Sequence, residues 1–305
     1  MTTLSAVVPA TNRPGTLARC TAAIEAALDP PDELLVVDAP AQAGPAEARN
    51  AGARRARGDV VVFVDADVVV HRDAFTRIRA AFDADAGLAA VFGSYDDDPS
   101  APGIVSGFRN LLHHHVHQRS GGPAATFWAG LGAVRREVFL DAGGFDAERY
   151  PKPSVEDVEL GMRLDASGAR LRLDPEVQGT HLKPWTLVEM VHTDFARRGL
   201  PWVVLLLRTR KAPTALNLGW RHRLSAVACL TTVGALAARR PLLTASGMLA
   251  FVALNASLYA LLLRRRGPAA AAAGVALHAV HHLVGIAAIP AGAAVHLRER
   301  RRRRA

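Results

Sequence analysis

Cysteine is almost missing from this chain: Cys20 and Cys229 are the only two in 305 residues. They fall in stretches of different composition, which argues against a disulfide framework. The first residues, Met1-Thr-Thr-Leu-Ser, bring neither a basic cluster nor a long apolar run before Pro9. No secretory leader is read there, so the N-terminal part is expected in the cytosol. No internal repeat is evident. A further absence is local. Asp, Glu, Lys and Arg are missing from Leu224–Ala238, from Leu242–Leu263 and from Pro268–Leu297.

A spanning helix needs about 20 apolar residues to cross about 30 Å of hydrocarbon. The second and third uncharged stretches meet that length and the first falls short. Two or three spans are therefore expected. Three put the Arg298–Arg304 run on the non-cytoplasmic side, against the positive-inside rule; two, with the first stretch at the interface, keep it inside. The net charge is +9, with much of the excess in Arg264–Arg266 and in that terminal run. Because these basic runs flank apolar ones, they suit anionic lipid headgroups and not nucleic acid. The division read from composition is a catalytic domain over 1–210, a juxtamembrane linker over 211–223, a transmembrane region of two to three helices over 224–297 and a basic tail over 298–305. Thr186–Leu207 reads as an interfacial segment, with Trp202 and Trp220 at headgroup level.

Residues 1–222 alternate strand and helix signals. Strands are expected at Leu4–Val8, Leu34–Val37, Val60–Val64 and Ala89–Phe92, and helices at Thr16–Leu28, Pro45–Arg57 and Asp73–Phe82. Pro45 suits a first helical position and Gly58 a residue just past a helix end. This β-α-β-α-β order predicts an α/β fold with a mostly parallel sheet and helices on both faces. Such sheets bind ligands at the carboxyl ends of their strands, where Asp38 and Asp65 fall.

Asp65-Ala66-Asp67 places two carboxylates one residue apart at the end of a buried strand. Oxygen ligands of this kind suit Mg²⁺ or Mn²⁺, which keep waters and also take substrate phosphates. Taken alone, the motif reads more readily as a strand-end turn with two solvated acids. Its context is more specific. The run Gly44-Pro-Ala-Glu-Ala-Arg-Asn-Ala-Gly-Ala-Arg-Arg-Ala-Arg-Gly-Asp-Val-Val-Val-Phe-Val-Asp-Ala-Asp67 resembles the core of family 2 glycosyltransferases, as do Val7-Val8-Pro9-Ala10-Thr11-Asn12 and the strand ending at Val37-Asp38. The resemblance covers roughly residues 4–210. It implies the GT-A fold, a nucleotide-sugar donor, a Mn²⁺ or Mg²⁺ cofactor and inversion at the anomeric carbon.

Residue by residue, the resemblance implies a donor site of Pro9, Thr11, Asn12, Asp38, Arg49 and Asp65. Thr11 stands where the family usually has an aromatic, and Ala39 where many members have a second Asp. Asp38 would accept from the nucleobase, and Asp65 would contact the ribose or a metal-bound water. Asp67 would ligate the metal directly, with Asp65 and His181 completing the set. In Phe127-Trp128-Ala-Gly130, Trp128 and Gly130 would face the acceptor; Trp128 reads equally as a core residue. Ser154-Val-Glu156-Asp157 by itself reads as a helix capping box. The family places a Glu-Asp pair here, which implies Asp157 as the base and Glu156 as its orienting partner. The chemistry needs such a group, because a sugar hydroxyl is a poor nucleophile until a base within reach takes its proton. His113-His114-His115-Val-His117 looks like a metal tract, but no acids or cysteines accompany it; a solvated or membrane-facing helix is the expectation.

The leading expectation is an inverting hexosyltransferase at the cytoplasmic face of the cell membrane, acting on a lipid-linked or other glycan hydroxyl of the envelope. Three others stay open. A processive polysaccharide synthase is disfavoured by Pro184 before Trp185, where such enzymes have an Arg-Trp pair. A nucleotidyltransferase is disfavoured because Arg13 is the only basic residue in the first loop. A non-catalytic nucleotide-sugar-binding membrane scaffold is disfavoured by the full set Asp38, Asp65, Asp67 and Asp157.

Overall fold

The computed structural model describes residues 1–210 and 219–302. They divide into two compact units. One joins Met1–Ser100 with His117–Lys183; the other joins Ala101–Val116 with the described residues from Pro184 onward. Most of the linker expected at 211–223 and the end of the basic tail lie outside the described residues.

The first unit runs β1 (Leu4–Pro9), α1 (Leu17–Glu25), β2 (Glu33–Val37), α2 (Pro45–Arg55), β3 (Val60–Val64), β4 (Val68–Val70), α3 (Ala74–Ala84) and β5 (Leu88–Tyr95). Helix α4 (Ile104–Gln118) begins in the second unit and ends in the first. The first unit then continues with β6 (Gly122–Ala124), β7 (Leu131–Arg135), α5 (Arg136–Asp141), α6 (Glu156–Ala166) and β8 (Arg170–His181). Every residue of β3 is buried, as an unbroken Val/Phe run in a sheet covered on both faces requires.

The described strands form one sheet in the order β2-β1-β3-β7-β5-β8-β4, with β6 on β8. The sheet is mixed. The expected parallel run is present in β2-β1-β3 and again in β5-β8, but β7 enters antiparallel between β3 and β5. The register then fixes which loops meet. Val37 pairs with Pro9, Val64 with Leu131, Tyr95 with Gly179 and Val68 with His181. Asp38, Asp65, Asp67, Gly130 and His181 therefore emerge at one end of the strands.

The second unit contains α7 (Leu187–His192), a π-helical stretch at Thr193–Gly199, α8 (Leu200–Thr209), α9 (Trp220–Ala237), α10 (Pro241–Leu254) and α11 (Ala256–Arg302). Thr186 and Glu189 form a reciprocal capping box at the start of α7. Only α11 is long and apolar enough to cross a membrane, among the described residues. The uncharged stretch Leu242–Leu263, expected as one span, is broken at Asn255. That side chain donates to Phe251 O at 2.8 Å and to Ser225 Oγ at 2.7 Å, so it competes with the helical ladder. Within α11 the backbone leaves helical geometry at Gly267, with φ 81°. Glycine adopts that value without a Cβ clash, and Pro268 brings no N–H to continue the ladder.

Candidate active site

Helix α2 carries Arg49, which is buried. Its Nη2 donates to Asp65 Oδ1 at 2.5 Å and its Nη1 to Glu156 Oε1 at 3.2 Å. One guanidinium thus ties α2 to the end of β3 and to the start of α6. Arg49 and Glu156 are buried, whereas Asp65 is partly open. The Phe145 ring lies 5.6 Å from the guanidinium carbon and limits where it can move. Burial weakens the Arg49 cation, but Asp65 and Glu156 outweigh this and raise its pKa. Burial raises the Asp65 pKa; Arg49 opposes the shift and Asp67 adds to it.

Asp157 follows Glu156 in the first turn of α6. Its Oδ1 accepts from the Val158 N–H at 2.8 Å and its Oδ2 from the Ala129 N–H at 3.2 Å. Gly130, next in the chain, accepts the Asp65 N–H at 3.0 Å. Residues 129 and 130 therefore link the Asp157 carboxylate to the backbone of Asp65. Burial, and after it the Glu156 carboxylate, pushes Asp157 up to about 6. The capping reading changes in detail: α6 starts at Glu156 with Val155 in the cap position, and the Glu156 carboxylate accepts the Ser154 N–H at 2.8 Å.

On the other side of the site, His181 Nε2 lies 3.5 Å from Asp67 Oδ2. The Tyr95 ring stacks on the His181 imidazole at 4.3 Å and 12°, and the Trp128 ring meets Tyr95 edge-on at 4.9 Å. Gly130 makes room for this arrangement: a Cβ there would stand 2.3 Å from the Trp128 ring. Burial raises the Asp67 pKa, but the His181 contact outweighs it and leaves the carboxylate below its ordinary value.

The remaining predicted residues contribute less directly. The Thr11 hydroxyl donates to Ala43 O at 2.6 Å, which ties the first loop to the second and commits the side chain to that contact. Pro9 ends β1, and Asn12 is exposed just beyond it. Asp38 is exposed at the end of β2, two strands and so about 10 Å from the end of β3. His117 of the histidine tract is neither solvated nor lipid-facing. Its ring is buried, with Nδ1 2.8 Å from Gly93 O and an edge toward Trp128. Cys20 is buried under the site with Sγ 3.5 Å from Asp65 O; burial pushes its thiol up to about 12 and leaves it inert.

Three contributors were not legible in advance. Tyr95 orients His181. Asn50 exchanges two hydrogen bonds with the Phe145 backbone, at 2.8 and 2.9 Å. Arg163 donates to Gly144 O at 2.8 Å. Asn50 and Arg163 hold a turn in which Gly143 and Gly144 both have positive φ, and that turn places Phe145 against Arg49. The Gly-Gly-Phe spacing was the available signal.

Among the described residues no three His, Cys, Asp or Glu side chains converge as a ready cation cage. Asp65 Oδ1 is committed to Arg49. Asp67 and His181 remain as an oxygen and a nitrogen donor at one rim, a partial set that fits a Mn²⁺ or Mg²⁺ ion taking its other ligands from water and a substrate diphosphate.

Residues 39–142, about a third of the chain, match the family model "Glycosyl transferase family 2". Over these residues the chain is similar to family 2 glycosyltransferases. The match covers Arg49, Asp65, Asp67, Trp128 and Gly130, and it ends before Glu156, Asp157 and His181. No curated protein matches the sequence. Among solved structures, the chain resembles the mannosyltransferase PcManGT from Pyrobaculum calidifontis, solved with GDP-Man and Mn²⁺. The identity is 17%, with 97% of this chain and 87% of that one covered and a TM-score of 0.53. GalNAc-T7, solved with UDP, GalNAc and Mn²⁺, is 16% identical over 75% of this chain and 51% of its own, with a TM-score of 0.50. At these identities the likeness is one of fold, and it agrees with the GT-A expectation.

Proposed function

We propose that the chain is an inverting glycosyltransferase that moves a hexose from a nucleotide-sugar donor to a hydroxyl of a lipid-linked or envelope glycan acceptor at the cytoplasmic membrane face. The observation that carries this reading is the bridge at residues 129 and 130, which binds Asp157 through one backbone N–H and Asp65 through one carbonyl. A transfer site needs a base held at a fixed place relative to the donor, and this bridge supplies that constraint.

Asp157 takes the proton of the acceptor hydroxyl as its oxygen bonds to the anomeric carbon, while the bond from that carbon to the diphosphate breaks on the opposite face. A carboxylate raised to about 6 is a stronger base than an ordinary one and is still mostly ionised near neutrality. Glu156 and Arg49 hold the start of α6 against β3, and Asp65 faces the ribose side. Asp67 and His181 would hold Mn²⁺ or Mg²⁺, which when bound neutralises the leaving diphosphate. Lys183, close enough to lower the Asp67 pKa, adds positive potential on the same side. Trp128 offers an apolar face to the acceptor sugar. The fold likeness to two proteins solved with a nucleotide or nucleotide sugar and Mn²⁺ supports the donor class. Helix α11, with Arg264–Arg266 and Arg298–Arg302 along it, supports a membrane anchor.

A thermal-shift screen of nucleotide sugars with and without Mn²⁺ tests the donor half, because a ligand that binds only the folded state raises its melting temperature. Asp157→Asn is expected to keep that shift and lose transfer. Retained turnover in Asp157→Asn would remove this residue from the mechanism.

A further inference from the structure

Helices α9 and α10 form an antiparallel hairpin, in which Arg221 near the start of α9 donates to Leu254 O at the end of α10 at 2.7 Å. Between them runs a groove of about 690 Å³, within the range of about 300–1,000 Å³ typical of small-ligand sites. Its floor on α10 is made of small residues, Ser246, Gly247, Ala250 and Ala253, and Leu224 and Val227 wall it on α9. The groove extends from Arg221 to Thr231 along α9, roughly 15 Å at a helical rise of about 1.5 Å per residue. Leu224 is 54% exposed, Val227 60% and Leu243 51%, so the walls are open.

Charge is placed at one end of the lining. Among the described residues that line the groove, Arg221 is the only ionisable one. A guanidinium has five N–H donors, and the Leu254 carbonyl takes one of them. The neighbouring Arg223 is placed differently, with its guanidinium 5.0 Å from the Trp220 ring centre. Residues 219–255 contain four arginines and no Asp or Glu, so no acid on the hairpin competes for Arg221.

We propose that this groove binds one molecule of an anionic phospholipid, with a hydrocarbon chain along the small-residue floor and the phosphate on Arg221. The apolar trough excludes a free phosphate as the sole occupant, and the single terminal cation distinguishes a phosphate headgroup from an uncharged amphiphile. The site is independent of the transfer chemistry assigned to the other unit.

The test is native mass spectrometry of the full chain in neutral detergent, titrated with phosphatidylglycerol and, separately, phosphatidylcholine of the same acyl length. Expected is one phosphatidylglycerol retained about tenfold more tightly than phosphatidylcholine, an energy difference of about 1.4 kcal/mol. Arg221→Ala should remove that preference, and Ala250→Trp, which fills the floor, should remove binding of both lipids. Arg239→Ala, at the opposite end of the hairpin, should change nothing. Equal retention of the two lipids by the unaltered chain would overturn the proposal. So would an Arg221→Ala preference that matches it, a surface change that does not threaten folding. The Mn²⁺-dependent donor shift, recorded on the same preparations, separates the two readings: its loss with lipid preference intact would count against the transferase reading alone.

Discussion

Arg49 Nη2 lies 2.5 Å from Asp65 Oδ1, and this bond joins the middle of α2 to the residue where β3 ends. The same guanidinium reaches Glu156. Removing one partner from a buried charge network costs about 3–5 kcal/mol, because the remaining charges stay buried without compensation. Arg49→Ala is therefore expected to lower the melting temperature sharply and to abolish donor binding. Arg49→Lys should be only partly tolerated, since an ammonium is a point charge and cannot fork between two carboxylates. Adding Glu156→Gln to Arg49→Ala should recover part of the loss, which a double-mutant cycle by thermal unfolding measures. Additive effects would dissolve the network.

Much of the site was readable because its residues sit where strong local signals end. Val60–Val64 is a continuous apolar run, so the strand and the position of the acids after it were legible, whereas their role was not, because the motif alone also reads as a strand-end turn. Asp38 follows from the same logic on β2. The parts that were not readable depend on pairing between distant segments. Strand β7 lies in a segment that reads as an acceptor loop, and nothing local says that Leu131 pairs antiparallel with Val64. Tyr95 lies three residues past the strand expected at Ala89–Phe92; its stacking on His181 exists only because β5 extends to Tyr95 and runs beside β8. The break at Asn255 was hidden because a polar uncharged residue barely alters an apolar run.

The acid limb of the transfer reaction should report Asp157. Only the ionised carboxylate accepts a proton, so the rate falls about tenfold per pH unit below the pKa and levels off about one unit above it. With Asp157 near 6, turnover should rise with unit slope up to that pH and plateau from about pH 7. Because folding raises this pKa, Asp157 contributes stability at low pH that is lost as pH rises through the folded value. Rate–pH profiles at saturating donor check this. A limb centred near the ordinary 3.8 would mean that another group, or none, is titrating.

The rim formed by Asp67 and His181 should control metal affinity, and the Tyr95 ring should control it indirectly. Groups that orient a ligand commonly change metal affinity by about 10–100-fold when lost. Asp67→Asn and His181→Ala are expected to weaken Mn²⁺ binding at least that much, and Tyr95→Leu by about tenfold, while Tyr95→Phe keeps the stack and the affinity. Titration calorimetry with Mn²⁺ and nucleoside diphosphate reads this without turnover. Unchanged affinity in His181→Ala would leave Asp67 as the sole side-chain candidate.

Gly130 tests whether Trp128 serves the acceptor. A Cβ at this position would lie 2.3 Å from the indole, and real contacts are never that close, so Gly130→Ala must displace the ring. The backbone bond from Asp65 N–H to Gly130 O does not involve the new methyl, and the donor side should keep its geometry. The expected result is a split. Donor-dependent thermal shift and slow donor hydrolysis in Mn²⁺ stay near the unaltered level. The acceptor KM rises by up to about tenfold, as loss of an aromatic contact worth about 0.5–1.5 kcal/mol implies. Overpacking itself costs about 1–3 kcal/mol of stability, so the melting temperature falls in any case and does not discriminate. Trp128→Phe on the Gly130→Ala background does discriminate: the smaller ring relieves the clash and should restore part of the acceptor affinity. If KM for acceptor is unchanged in both variants, Trp128 is a core residue and the acceptor lies elsewhere.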